Sequence, residues 1–120
     1  MADIDSVLAA ARAWQGAGLA LATVVSTWGS APRPVGSHML VHEDGRFEGS
    51  VSGGCVEADI LQAAAEVIAG APAMVKHYGV ADPAAWEVGL PCGGKISVLV
   101  QPVSEMGFPP ALFDAIDAAR

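Results

Sequence analysis

Apolar positions along the chain change period several times, and each period predicts an element. Ile4, Val7, Leu8 and Ala11 recur at helical spacing, which predicts a helix over 5–15 ended by Gly16 or Gly18. Residues 19–26 are almost continuously apolar and β-branched towards their end, as expected of a strand covered on both faces. Two short runs, 38–42 and 47–51, flank Glu43-Asp44-Gly45-Arg46, whose Asp-Gly pair predicts a hairpin turn. Within the second run Phe47, Gly49 and Val51 alternate with Glu48, Ser50 and Ser52, the pattern of a half-exposed strand. Over 56–69, Val56, Ile60, Ala63, Ala64, Val67 and Ile68 form one stripe, opposed by Glu57, Gln62 and Glu66, predicting an amphipathic helix stopped by Gly70 and Pro72. Residues 73–78 predict a short strand and 79–86 a turn-rich link. Residues 96–102 predict a longer strand, and Pro102 places its end at a sheet edge or outside the ladder. A last helix over 109–120, opened by proline, carries Leu112, Phe113 and Ile116, which need a cover. The sum is an α/β fold: one domain, a mixed sheet of about five strands, and two to three helices packed on it.

The candidate chemistry lies where this patterning breaks. The run Trp28-Gly29-Ser30-Ala31-Pro32-Arg33-Pro34-Val35-Gly36 is punctuated by two prolines and two glycines and leaves a strand's C-terminal end, where open α/β sheets gather ligands. Arg33, held between two prolines, is a candidate anion clamp. Gly49-Ser50-Val51-Ser52-Gly53-Gly54-Cys55-Val56-Glu57 predicts a strand end, a two-glycine turn and a cysteine in the first turn of a helix. Such a turn brings backbone N–H groups close to a ligand, and the helix start favours a phosphate or a thiolate. Cys55 is therefore a candidate nucleophile, sulfur carrier or soft-metal ligand, against the plainer role of a small buried hydrophobe. A near mirror image, Gly89-Leu90-Pro91-Cys92-Gly93-Gly94, lacks a helix to tune its thiol, so a structural role weighs more for Cys92. Glu57 and Asp59 are explained by the helix dipole alone. His38 and His42 have no second ligand at metal-binding spacing and are expected to be ordinary strand histidines. The cysteines are singles without Cys-x-x-Cys pairing, so no zinc is expected. The glycines fit neither a P-loop nor a dinucleotide fingerprint.

Composition narrows the function classes further. A net charge of −7 with only six Lys and Arg leaves no basic face for nucleic acid. An anionic small ligand would have to rest on backbone amides and one or two placed cations, of which Arg33 and Lys95 sit in glycine- and proline-rich turns. The apolar runs are too short for a bilayer, and the N-terminus lacks the pattern of an export leader, so no membrane partner and a cytoplasmic location are expected. In that compartment the two cysteines are expected as free thiols.

Three stretches together resemble the XdhC/CoxI family. They are the run from Gly49 to Glu57, the run from Gly29 through Arg33 to Gly36 and Met39, and Trp86-Glu87-Val88-Gly89-Leu90-Pro91-Cys92-Gly93-Gly94. The resemblance covers roughly residues 19–102 in matching order. It implies an accessory protein, not itself an enzyme, that transiently binds the molybdenum cofactor (molybdopterin), assists its sulfuration and passes it to a xanthine dehydrogenase- or CO dehydrogenase-type client. A cysteine desulfurase is a further implied partner. The cofactor-holding residues it implies are Cys55, Gly53, Gly54, Arg33 and Ser52, then Cys92, Gly93 and Gly94, with Cys55 as the molybdenum contact. Many members continue into a Rossmann-like second domain, which residues 1–120 do not contain, and self-association through Leu112, Phe113 and Ile116 is one expected way to supply the missing wall. The alternative is a thiol-dependent sulfur carrier or small redox protein using Cys55.

Overall fold

A computed structural model describes residues 2–29, 34–51, 56–79, 95–104 and 107–119. Its elements, in chain order, are α1 (Ala2–Ala13), β1 (Leu19–Trp28), β2 (His38–His42), β3 (Phe47–Gly49), α2 (Glu57–Ile68), β4 (Met74–Gly79), β5 (Lys95–Pro102) and α3 (Ala111–Ala119). The five strands form one sheet in the order β3-β2-β1-β5-β4, and every ladder is antiparallel. The expected α/β class, about five strands with two to three helices in a single domain, is the one found, but the sheet is antiparallel throughout rather than mixed, because each strand returns beside its neighbour in the opposite direction.

The two-faced burial of β1 follows from its period. Ala20, Ala22 and Val24 face α2 and share a core with Ile60, Ala63, Ala64 and Val67, joined by Met39, Val41, Tyr78, Ile96, Val98 and Val100. Leu19 and Leu21 point to the other face, where α1 supplies Val7, Leu8, Ala10 and Ala11 and α3 supplies Phe113. Side chains alternate across a strand, so a continuous apolar run is what a strand between two helical layers requires. The helix over 56–69 keeps its expected stripe and begins at Glu57, with Val56 as N-cap.

Two further expectations change. β1 does not stop at Ser26 but runs to Trp28, because β5 continues beside it with Trp28 opposite Lys95. A bulge between Val24 and Ser26 flips the strand's later side chains to new faces. The expected self-association seam is the second correction. Phe113 is 9% exposed within the α1-side core, Ile116 packs against that core, and Phe108 lies 4.8 Å from the Phe113 ring. Of the three residues only Leu112 is exposed, because α1 and the start of β1 cover the face from within the same chain.

Candidate functional site

Antiparallel pairing brings one set of strand ends to one side of the sheet. Trp28 at the end of β1, Lys95 at the start of β5 and Gly79 at the end of β4 stand in register. β2 starts and β3 ends on that same side, with Met39 opposite Gly49. The three glycine-bearing sequence stretches therefore depart from a common side of the sheet. Their central residues, Arg33, Ser52, Gly53, Gly54, Cys55, Cys92, Gly93 and Gly94, lie outside the described residues, and so does the 80–94 link. What is described is the frame on which they are mounted.

Gly49 shows why that frame needs its sequence. It has φ +85°, and a Cβ there would collide with the carbonyl oxygen of His38 across the ladder. Only glycine meets both conditions. Ser50 N–H then donates to the same His38 carbonyl at 3.1 Å. The chain leaving β3 is held next by Glu57. Its Oε2 accepts the Ser50 hydroxyl at 2.6 Å and the Val51 N–H at 3.3 Å, tying the two flanks of 52–55 together. The first turn of α2 thus starts at Glu57 rather than at Cys55, and Glu57 does more than complement a dipole. Asp59 likewise does more. Its Oδ2 accepts the hydroxyl of the fully buried Tyr78 at 2.6 Å, with Lys76 Nζ 3.8 Å away, which fastens β4 to the start of α2.

On the sheet face opposite α2, the cross-strand pairs assemble a polar row. Ser26 stands opposite Ser97, and Ser97 opposite His77, whose Nδ1 lies 2.9 Å from the Ser97 Oγ. The next row outward is Trp28 and Lys95, with Lys95 Nζ 5.0 Å from the indole centroid. An open hollow of about 210 Å³ is lined by Ser26, Thr27, Trp28, Lys95, Ile96 and Ser97. The glycine-rich setting of Lys95 marks it in the sequence, whereas the composition around Trp28 points only to a loop. The bulge that turns Trp28 towards Lys95 has no sequence signal of its own.

The two strand histidines have ordinary partners. His38 Nδ1 is 2.9 Å from Thr23 Oγ1, and burial holds its pKa below the usual histidine value. His42 Nδ1 accepts the Asp44 N–H at 3.0 Å, and its ring meets the edge of Trp14 at 5.3 Å. Among the described residues, no three His, Cys, Asp or Glu side chains cluster as a metal site would need, and no helix is long and apolar enough to cross a membrane.

Comparison with known proteins gives this frame a lineage. Residues 13–79 match the model of the XdhC and CoxI family. Over 84 residues the chain is 44% identical to the molybdenum cofactor insertion chaperone PaoD of Escherichia coli, covering 69% of this chain and 26% of that protein. It is 34% identical over 87 residues to a probable xanthine dehydrogenase subunit of Bacillus subtilis, covering 71% of this chain and 26% of that one. A crystal structure of a xanthine dehydrogenase from Bacillus halodurans superposes with a TM-score of 0.75 at 32% identity, over 98% of this chain and 36% of that one. The chain thus spans about a quarter of the length of these two curated relatives. With more than half of its 120 residues matched by the family model and the solved fold shared nearly end to end, the chain belongs to the XdhC and CoxI family.

Proposed function

We propose that this chain is an accessory protein of molybdenum hydroxylase maturation, which binds the molybdenum cofactor transiently and delivers it to a xanthine dehydrogenase- or CO dehydrogenase-type client in the cytoplasm. The observation that carries the reading is the 44% identity, over most of the chain, to a protein named as a molybdenum cofactor insertion chaperone. The frame is consistent with that cargo. Three glycine-bearing segments depart from one side of the sheet, and Glu57 fixes the flanks of the one that contains Cys55. In this reading Ser52, Gly53 and Gly54 offer backbone N–H groups to the cofactor phosphate. Arg33 adds a charge-assisted contact. Cys55 presents a soft thiolate to molybdenum or to a sulfur in transit, and Cys92, Gly93 and Gly94 are further cofactor-holding residues.

Cofactor released from a molybdoenzyme should stay with this protein through a desalting column, read as molybdenum by mass spectrometry, and Cys55→Ala should lose most of it. No retained molybdenum with the unaltered protein would end the proposal. The finer step, assistance to sulfuration by a cysteine desulfurase, predicts a persulfide on Cys55 after incubation with a desulfurase and cysteine. A Cys55 that stays unmodified there would restrict the role to carriage.

A further inference from the structure

We infer that the C-terminal end of α2 is a docking groove for a partner protein's segment that carries a lysine or arginine between two apolar side chains. The groove lies at the sheet end away from the glycine-bearing segments, where β1 begins and β5 ends. A partner held there leaves the loop end uncovered, and the groove stands whether or not the chain carries the cofactor.

Two hollows open on either side of the last turn of α2, and Ile68 lines both. The larger, of about 500 Å³, lies between Gly18, Ile68, Pro72, Ala73, Pro102 and Val103. The smaller, of about 370 Å³, lies between Val41, Glu43, Leu61, Ala65 and Ile68. Their walls are fixed by the fold. Glu43 N–H donates to the Gly18 carbonyl at 2.8 Å, and Val103 N–H to the Leu19 carbonyl at 2.9 Å. Ile68 itself packs on the core shared with Val67. The groove is therefore formed before anything occupies it, which spares a partner the cost of ordering it.

The polar groups between the hollows all accept. Glu43 Oε1 takes the Gly18 N–H at 3.2 Å. Its Oε2 stands beside Ile68: a Cβ on Gly18 would lie 3.2 Å from that oxygen and 2.9 Å from Ile68 Cγ2. Among the described residues nothing donates to Oε2. The bonds that close α2 use the carbonyls of Ala65, Glu66 and Val67, which leaves those of Ile68 and Ala69 without a donor among the described residues. No basic residue stands in the last turn, where the negative end of the helix dipole would favour one. Arg46, on the neighbouring hairpin, is engaged by Asp44 and by the Trp14 ring.

A carboxylate oxygen and two carbonyls thus sit between two apolar hollows. A lysine ammonium or an arginine guanidinium brings donors only and a positive charge, so it suits all three acceptors. An apolar segment without a cation would bury them unpaired and lose affinity. In an extended segment every second side chain faces the same way, so the fitting pattern is apolar-x-cation-x-apolar. The hollow of about 250 Å³ between α1 and α3 has no such bias, since Arg12 and Asp114 both line it.

The probe is the capped peptide Gly-Leu-Ser-Lys-Ser-Leu-Gly, titrated into the isotope-labelled full chain and followed by amide NMR. Shifts should centre on Gly18, Glu43, Ile68, Ala69 and Ala71. Replacing the peptide's lysine by glutamate should weaken binding at least about tenfold. Replacing both leucines by serine should do the same, as the loss of two buried side chains would. Glu43→Gln keeps an acceptor for Gly18 N–H, and should weaken the lysine peptide about tenfold while leaving its norleucine counterpart unchanged. Ala65 and Ala73 are exposed positions, one in each hollow. Ala65→Phe and Ala73→Phe should each weaken the peptide about tenfold by occupying its place, with urea midpoints near the parent's. The inference is overturned if the parent does not bind the lysine peptide or if the shifted amides lie elsewhere. Equal binding of the glutamate or serine peptide, or peptide binding at parental strength by both phenylalanine variants, would overturn it as well.

Discussion

Among the described residues there are two tryptophan–cation pairs, one at each end of the sheet, and they differ in how far their own chain covers the ring. At the hairpin end, Arg46 lies 5.2 Å over the Trp14 ring, while its Nε donates to Asp44 Oδ2 at 2.8 Å and its backbone N–H to Asp44 Oδ1 at 2.9 Å. Trp14 is half-buried and also meets His42 edge-on. Helix, turn and strand close on one another there, and the groups serve the fold. At the loop end, Lys95 over Trp28 has a similar separation, yet the ring is largely exposed. The same pair type locks a hairpin at one end and leaves an aromatic surface available at the other. Contact type alone therefore does not identify a site; the cover the chain's own residues give the ring discriminates better.

Glycine substitutions give the largest expected break in that comparison. Gly45 at the hairpin tip and Gly49 before the Cys55-bearing segment both have positive φ, +98° and +85°. Nothing lies within 4 Å of a Cβ added to Gly45, whereas at Gly49 it would strike the His38 backbone. Gly45→Ala should cost about 1–2 kcal/mol, the left-handed penalty alone. Gly49→Ala should cost more than that, roughly 3 kcal/mol, because the ladder must also shift. Urea midpoints of the two variants read the difference, and equal losses would mean that the loop end yields as easily as the hairpin tip. Glu57→Gln is the next step down. It keeps the shape but removes the charge that receives Ser50 and Val51, and should cost about 1–2 kcal/mol. Molybdenum retention should fall with it if the clamp sets the segment's position; a destabilised variant with full retention would separate the clamp from the site.

The fold is more legible in the sequence than the site, for a physical reason. Burial imposes a period on the residues, so the two-faced strand, the hairpin and the stripe of α2 can be read from spacing. β1 runs two residues beyond its expected end because its partner strand, not its own composition, extends it to Trp28. Glu57 and Asp59 show the other limit. Carboxylates in a first helical turn have a sufficient local explanation, and only tertiary packing brings Ser50, Val51, Tyr78 and Lys76 to them. The seam on α3 fails similarly: an apolar face demands a cover, but sequence does not say whether the cover comes from within the chain. The cysteine and glycine motifs are legible as a family through their order.

The smallest effect expected is one of pH, and it again contrasts the two ends. His38 begins β2 on the loop side, next to Thr23, and burial lowers its pKa. The folded protein therefore binds fewer protons here than the unfolded chain at pH values below the ordinary histidine pKa of about 6.5. The stability associated with a neutral His38 is complete above that value and is lost as pH falls below it towards the lowered folded pKa. At the hairpin end Asp44 responds in a more acidic range. The Arg46 backbone N–H, then its guanidinium, hold the Asp44 carboxyl below the usual carboxylate value, so its contribution is present above about pH 3.9 and fades in stronger acid. Urea midpoints for the parent and for His38→Gln should converge as pH falls from about 7.5 to about 5, since the glutamine has no proton to gain. Parallel profiles across that range would mean that His38 titrates alike in both states, and the loop end would lose its claim to a distinct acid response.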